Sequence, residues 1–223
     1  SQGTAQRGVP SRLPRGRGAF SPSVRLTYNS GGGNGWLGMG WDLPVSRIDV
    51  DTRFGAPFYD GEERYTFDGE QLVPLGPGTC ADGSGGRRYA PRVEQQFRRI
   101  LRCGSNPTTF RWEVTDTGGT VFRYGTGMEA QLADPLDRNI GAWLLEDVTD
   151  THGNVTSYSY LIDQKALPTE IPLTSIAAGT GEDFRQLYLQ SVKYTAHPAS
   201  GLPARYIIDF IPQQSQAGLR ERA

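Results

Sequence analysis

The sequence predicts an all-β domain, mostly antiparallel hairpins forming a curved sheet that is part of a larger β shell. Three observations predict it. Short runs alternate apolar and polar residues with period two, as in Val24, Leu26 and Tyr28 against Arg25, Thr27 and Asn29. The 29 glycines and 15 prolines in 223 residues punctuate the chain too often for long helices. Aromatic residues return in pairs across polar turns, the pattern of cross-strand pairs in a sheet. Apolar content of 36% is low for a compact helical enzyme and fits a sheet with extensive surface.

Ser1–Gly18 reads as a polar, extended lead-in, and 19–223 as the β domain. Ser23–Asn29 is a strand leading into Gly31, Gly32, Gly33, Gly35, Gly38 and Gly40, interrupted by Trp36 and Trp41. Two tryptophans among those glycines imply a packed loop, since each ring has a large apolar area to bury. Gly33-Asn34-Gly35-Trp36-Leu37-Gly38 matches the spacing of a dinucleotide fingerprint. That mechanism needs a helix N-terminus to meet the pyrophosphate, and Gly40 and Pro44 occupy the turns where the helix should begin. A structural glycine loop is the better reading.

Val45–Asp51 alternates as a strand. Arg64–Leu75 reads as a hairpin about Asp68-Gly69. Gly76–Gly86, with five glycines, reads as a loop, and Tyr89–Cys103 as two short strands despite some helical spacing of Val93, Phe97, Ile100 and Leu101. Over 108–213 three hairpins follow one another. The first joins Phe110, Trp112 and Val114 to Phe122 and Tyr124 through Asp116–Gly119. The second joins Trp143–Val148 to Tyr158 and Tyr160 through Asp150–Asn154. The third joins Leu187–Tyr194 to Ala204–Ile211 through Ala196–Gly201. Leu167–Gly181 reads as a loop between the last two.

The motif-dense part, 19–75, resembles one bacterial family. Gly18-Ala19-Phe20-Ser21-Pro22, Tyr28-Asn29-Ser30-Gly31, Gly33-Asn34-Gly35, Gly38-Met39-Gly40-Trp41, Gly55-Ala56-Pro57-Phe58-Tyr59 and Glu70-Gln71-Leu72-Val73-Pro74 carry the likeness. The family is the amino-terminal domain of the Salmonella virulence plasmid B protein, found also in the B component of insecticidal toxin complexes and in Rhs-type repeat toxins. Met39 stands where the family usually has leucine, a volume-conserving change. The hairpin around Asp150–Asn154 is similar to a repeat unit of Rhs proteins. The resemblance implies a wall segment of a hollow β shell that holds a carboxy-terminal toxic segment beside a gating propeller. It implies partners in the rest of the polypeptide and in other toxin-complex subunits, and a secreted or cell-surface location after synthesis in the cytoplasm. ADP-ribosyltransfer in the family belongs to a separate carboxy-terminal domain, whose arginine, Ser-Thr-Ser and paired-glutamate pattern is not recognisable here.

No catalytic, cofactor-binding or metal-ligating residue is assigned, and no enzyme activity is expected. Asp147, Asp150 and His152 resemble an acid-base cluster, but a polar hairpin turn needs the same residues. Glu62-Glu63 and Glu182-Asp183 lie in polar loops without a nucleophile. Cys80, Cys103, His152 and His197 lack the close-spaced pairs of a zinc site. Cys80 and Cys103 are either a disulfide or two free thiols. Six arginines between Arg87 and Arg102 read as solvated or interdomain, not as a nucleic-acid footprint, and the net charge of −1 agrees. Asn154-Val155-Thr156 is a glycosylation sequon by pattern alone. No apolar run approaches the roughly 18 residues of a membrane span. No signal peptide is visible, which is uninformative because the first residues read as the interior of a longer polypeptide. A binding module that recognises carbohydrate or a partner protein through exposed Trp and Tyr is the alternative function.

Overall fold

The computed structural model describes residues 6–10, 13–31, 34–35, 38–93, 97–134, 138–164 and 185–210. Their regular structure is β, with short 3-10 turns and no α-helix. Strands β1 (Gln6–Pro10), β2 (Arg25–Asn29) and β5 (Trp41–Asp42) form a small sheet in the order β1-β2-β5. Within the expected lead-in, Gln6–Pro10 pairs along β2. Between β2 and β5 the glycine loop folds into a ribbon, β3 (Asn34–Gly35) against β4 (Gly38–Met39). No helix follows it. Trp41 packs on Tyr28 at 5.1 Å between ring centroids. A Cβ on Gly40 would lie 2.8 Å from the Tyr28 ring, at a φ of +77°, so glycine is required there. Trp36 and the loop predicted at Leu167–Gly181 lie outside the described residues.

The main sheet contains twelve strands. They are β6 (Arg47–Val50), β7 (Tyr65–Phe67), β8 (Glu70–Thr79), β9 (Gly85–Pro91), β10 (Arg99–Cys103), β11 (Arg111–Thr115), β12 (Val121–Tyr124), β13 (Gln131–Ala133), β14 (Ile140–Thr149), β15 (Val155–Gln164), β16 (Arg185–Ala196) and β17 (Tyr206–Asp209). Each predicted hairpin is present. Asp68 and Gly69 both have positive φ, 49° and 85°, the geometry a two-residue turn between twisted strands demands.

Gly76–Gly86 corrects the sequence reading. Most of it is strand, with only Cys80–Ser84 turning between β8 and β9. Two of its glycines, Gly78 and Gly86, serve close approach. A Cβ on Gly86 would sit 2.7 Å from both the Cys80 Sγ and the Arg102 carbonyl oxygen, and one on Gly78 would sit 2.5 Å from Leu101. Cys80 and Cys103 form a disulfide with a Cα–Cα distance of 6.2 Å, tying the β8–β9 turn to the end of β10.

β14 converts the curved sheet into a closed one. Its first half, Ile140–Leu144, pairs with β6 and β13, and its second half pairs with β12 and β15. Strands β6 to β12 and β14 therefore close an eight-stranded ring. A register shift at Arg123/Tyr124 marks the seam, where bulges commonly re-aim a strand. β15, β16 and β17 leave the ring as a three-stranded wing. β14 is buried along nearly its whole apolar run because it separates two cores. Ile140, Trp143, Leu145 and Val148 face the ring interior, while Ala142 and Leu144 face the wing's core with Leu43, Leu187, Leu189 and Val192.

Aromatic side chains fill the ring. Tyr65 lies 4.9 Å from Trp112 and 5.8 Å from both Tyr89 and Trp143, all edge-on, which suits the ring quadrupoles. Arg102 is buried among them. Its guanidinium lies 3.9 Å from the Phe110 ring centroid and donates to the Gly61 carbonyl (2.7 Å) and the Tyr65 hydroxyl (3.0 Å). The sequence places this arginine in a run read as solvated or interdomain.

Candidate functional site

Where barrel, wing and the segments flanking the small sheet meet, six segments leave a cleft of about 460 Å³. Phe20–Val24 and Leu43–Ser46 form one side. Asp116, Thr120 and Phe122 form the barrel rim, and Leu145, Val148, Thr156, Tyr158 and Leu189 form the floor. Ser46 Oγ donates to Asp68 at 2.9 Å and contacts the Tyr124 hydroxyl at 3.0 Å. Asp116 Oδ1 accepts from the Thr120 N–H at 2.8 Å. Thr156 is 1% exposed and its hydroxyl has no hydrogen-bond partner among the described residues. Burial pushes the Tyr158 phenol up to about 12, so it holds its proton at any physiological pH. The cleft is apolar with a row of hydroxyls.

A second exposed feature is the outer edge of β17. Phe210 N–H donates to the Gln190 carbonyl at 2.8 Å, so by antiparallel alternation Tyr206 and Ile208 also point their amides at β16. Ile207 and Asp209 point theirs away, and no strand pairs with that edge among the described residues.

Of the acid-base residues singled out in the sequence, Asp150 and His152 lie together, 3.9 Å apart between Oδ2 and Nδ1, and Asp147 is engaged elsewhere. Asp147 pairs with Arg123 at 2.6 Å. Asp150 instead organises its own turn, accepting from the backbone of His152 (2.9 Å) and Asn154 (2.8 Å) and from the Asn154 side chain (2.8 Å). The His152 side chain is 82% exposed, and Asn154 is buried, which removes the sequon as a glycan acceptor in the folded chain. Glu62 pairs with Arg87, while Glu63 accepts from the backbone of Asp60 and Gly61 and from Tyr65. Glu182-Asp183 lies outside the described residues. The arginine run is dispersed: Arg92 reaches Gln71, Arg99 the Thr79 carbonyl, and Arg102 the barrel interior. Trp112 and Trp143 face the barrel core, so the aromatic row that a carbohydrate-binding face would present is turned inward. The cleft escaped sequence reading because it draws on six separate segments; the alternation of Thr156 and Tyr158 is its one local trace.

Two acidic anchors govern the expected pH response. The Arg53 hydrogen bonds and charge hold Asp51 below the usual carboxylate range against its burial. For Asp150, burial pushes upward, but hydrogen bonds from Asn154 and His152 outweigh it and the net direction is down. A depressed folded-state value adds stability that is complete above the unfolded value of about 3.9 and is lost as pH falls through the folded one. Asp49 works the other way, its burial raising it more than Arg47 lowers it. Asp51→Asn and Asp150→Asn should each lower stability at pH 7 and flatten the acid limb between about pH 5 and pH 2. Melting curves across that range check this; profiles parallel to the parent's would contradict it.

The model of the Salmonella virulence plasmid 65 kDa B protein family matches residues 1–216. Mono(ADP-ribosyl)transferase SpvB of Salmonella typhimurium is 33% identical over 220 residues, covering 90% of this chain and 36% of the relative; the same name and coverage hold for Salmonella enteritidis. The chain thus spans about a third of the length of these curated relatives. Among solved structures, the N-terminal domain of effector protein SpvB from Salmonella typhimurium strain LT2 superposes with a TM-score of 0.64 at 28% identity, over 83% of this chain and 63% of that one. A Photorhabdus luminescens Tc holotoxin pore superposes at 0.69 with 29% identity, over 86% of this chain and 9% of that one. A TcdB2-TccC3-Cdc42 structure gives 0.68 and 28% over the same shares. The matching sequence runs through the barrel, the wing and the small sheet alike, and so the chain belongs to the Salmonella virulence plasmid 65 kDa B protein family.

Proposed function

We propose that this chain is a non-enzymatic structural module of a bacterial toxin or surface polypeptide, contributing wall to a β shell that encloses or presents a carboxy-terminal toxic segment. The observation that carries the reading is the pairing of a sealed, aromatic-filled barrel with a wing whose last strand offers an open edge. An unpaired edge is a template for another strand, and natural proteins cover such edges with neighbours. Barrel closure confines this liability, so the association expected of the isolated segment centres on the wing. Similarity to structures whose names describe toxin complexes supports a toxin setting, and the small share of those chains that is covered fits one module among many.

The partners in this reading are the remainder of the polypeptide and other toxin-complex subunits. Nucleic acid and membrane insertion have no part in it. No helix among the described residues is long and apolar enough to cross a membrane. The Cys80–Cys103 disulfide suits a secreted or cell-surface protein, since such bonds persist in oxidising compartments. The charged side chains named in the sequence hold turns, ion pairs and the barrel interior, which supports a scaffold over a catalyst.

Amide hydrogen exchange tests the edge directly. In the 223-residue chain the Ile207 and Asp209 amides should exchange quickly, while that of Ile208 is protected. In the complete parent polypeptide all of them should be protected. Equal, fast exchange of Ile207 and Asp209 in both would overturn the wall reading.

A further inference from the structure

We propose that in the reduced chain Cys80, Cys103 and Glu113 form a zinc site, so that a metal ties the β8–β9 turn to the barrel wall when the disulfide is open. Both sulfurs and a Glu113 carboxylate oxygen lie within 4.8 Å of one another. The pairing of β10 with β11 brings the carboxylate there. Glu113 stands opposite Leu101, which shares a strand face with Cys103, and this face is the reverse of the one that Arg102 and Trp112 turn to the core. The β8–β9 turn lies over that outer face and supplies Cys80. Zinc accepts thiolates and carboxylates together, whereas magnesium and calcium take oxygen ligands, so the donor set selects zinc. Zinc holds two thiolates about 3.8 Å apart, at about 2.3 Å from each. With the Cα atoms 6.2 Å apart, rotation about the two Cα–Cβ bonds opens the sulfurs to that spacing. Three protein ligands leave the fourth tetrahedral position to water, which enters past the exposed residues Ala81–Ser84.

Glu113 is the residue that points to a cation. It is 8% exposed, and its carboxylate accepts the Ala81 N–H at 2.9 Å. Glutamine would accept the same bond with no charge to bury. Yet Glu113 enters no ion pair among the described residues. The arginine opposite Cys103, Arg111, is paired with Asp82, and the one opposite Glu113, Arg123, is paired with Asp147. A buried carboxylate held beside two sulfurs is what a divalent metal stabilises.

Opening the site takes a reductant, and small-molecule thiols are the class that a cytoplasm maintains. Two such thiols reduce the Cys80–Cys103 bond and leave joined as a disulfide, while each cysteine gains a proton. Zinc then binds the two thiolates and displaces both protons. An exchange of metal for disulfide on export rests on the secreted, toxin-shell reading above; metal binding by the reduced chain does not.

The test titrates cobalt, as a spectroscopic stand-in, and then zinc into the 223-residue chain, oxidised and after reduction with a phosphine. The reduced chain should take up one equivalent, with a thiolate-to-cobalt charge-transfer band that zinc abolishes; the oxidised chain should give no band. Glu113→Gln, which keeps a partner for the Ala81 N–H, should weaken binding at least tenfold, and Cys80→Ser/Cys103→Ser should abolish the band. At about a hundredfold excess over its Kd, zinc should raise the melting temperature of the reduced chain by about 5–10 °C. Should the reduced chain unfold, native tryptophan fluorescence regained on adding zinc reads the same site, and its failure to return overturns the proposal. No band in the reduced chain, an equal band in the oxidised one, or affinity unchanged by Glu113→Gln would also overturn it.

Discussion

Trp143→Ala should cost more stability than other single substitutions in the barrel, on the order of 5 kcal/mol. Trp143 is 1% exposed and lies 5.8 Å edge-on from both Tyr65 and Trp112. Truncating a buried tryptophan costs about 3–5 kcal/mol through lost transfer energy and the cavity left behind. Its indole N–H also donates to the Phe110 carbonyl at 2.6 Å, and orphaning that oxygen adds about 1–3 kcal/mol. Native domains are stable by only about 5–15 kcal/mol, so the variant should be largely unfolded or close to it. Trp112 provides the control. It is as deeply buried, but its indole N–H has no partner among the described residues. Trp112→Phe should therefore be milder than Trp143→Phe by about 1–2 kcal/mol, because only the second breaks a hydrogen bond. Urea unfolding with an unchanged m-value measures both; equal costs for the two phenylalanine variants would refute the assignment of that bond.

Removing the disulfide should be the next largest effect. Cys80 and Cys103 are 23 residues apart, and closing a loop of that size restrains the unfolded chain by about 3 kcal/mol. The native contacts around it are tight: Gly86 abuts the Cys80 sulfur, and the buried Glu113 carboxylate accepts the Ala81 N–H at 2.9 Å. The Cys80→Ala/Cys103→Ala double variant, or reduction of the parent, should lower the melting temperature by about 6–12 °C for a chain of this size. Its Trp112 and Trp143 fluorescence should stay native-like below the transition, since those rings lie in a separate cluster. An unchanged melting temperature would mean that the turn is held without the bond.

These two effects trace what could be read from the chain and what could not. Local signals sufficed for hairpins. Asp68-Gly69 has one favoured geometry between apolar runs, and the aromatic returns at Phe110–Tyr124 and Trp143–Tyr160 mark strands that must lie side by side. Closure was not legible. It depends on Arg47–Asp49 pairing with Ala142–Leu144, a contact between distant segments for which no turn residue gives notice. The glycines at 76–86 misled because glycine marks both flexible loops and strands that must pass close to a neighbour. Gly86 is the second kind, and only the position of the Cys80 sulfur reveals it. Arg102 was hidden for a similar reason. In sequence it is one of a charged run, whereas in space Phe110 and Tyr65 surround it. The turn residues Asp150 and Asn154 were legible because their hydrogen bonds are local, and the cleft was not because its walls are assembled by the whole fold.

The central claim is that this domain is part of an enclosing wall. Its most direct test is protease protection of a tag at the extreme carboxy terminus of the complete parent polypeptide, with and without this segment. The account predicts a protected tag in the intact protein and an exposed one after deletion, with the remaining domains still folded. A tag equally sensitive in both, in a deletion product that remains folded, would contradict it.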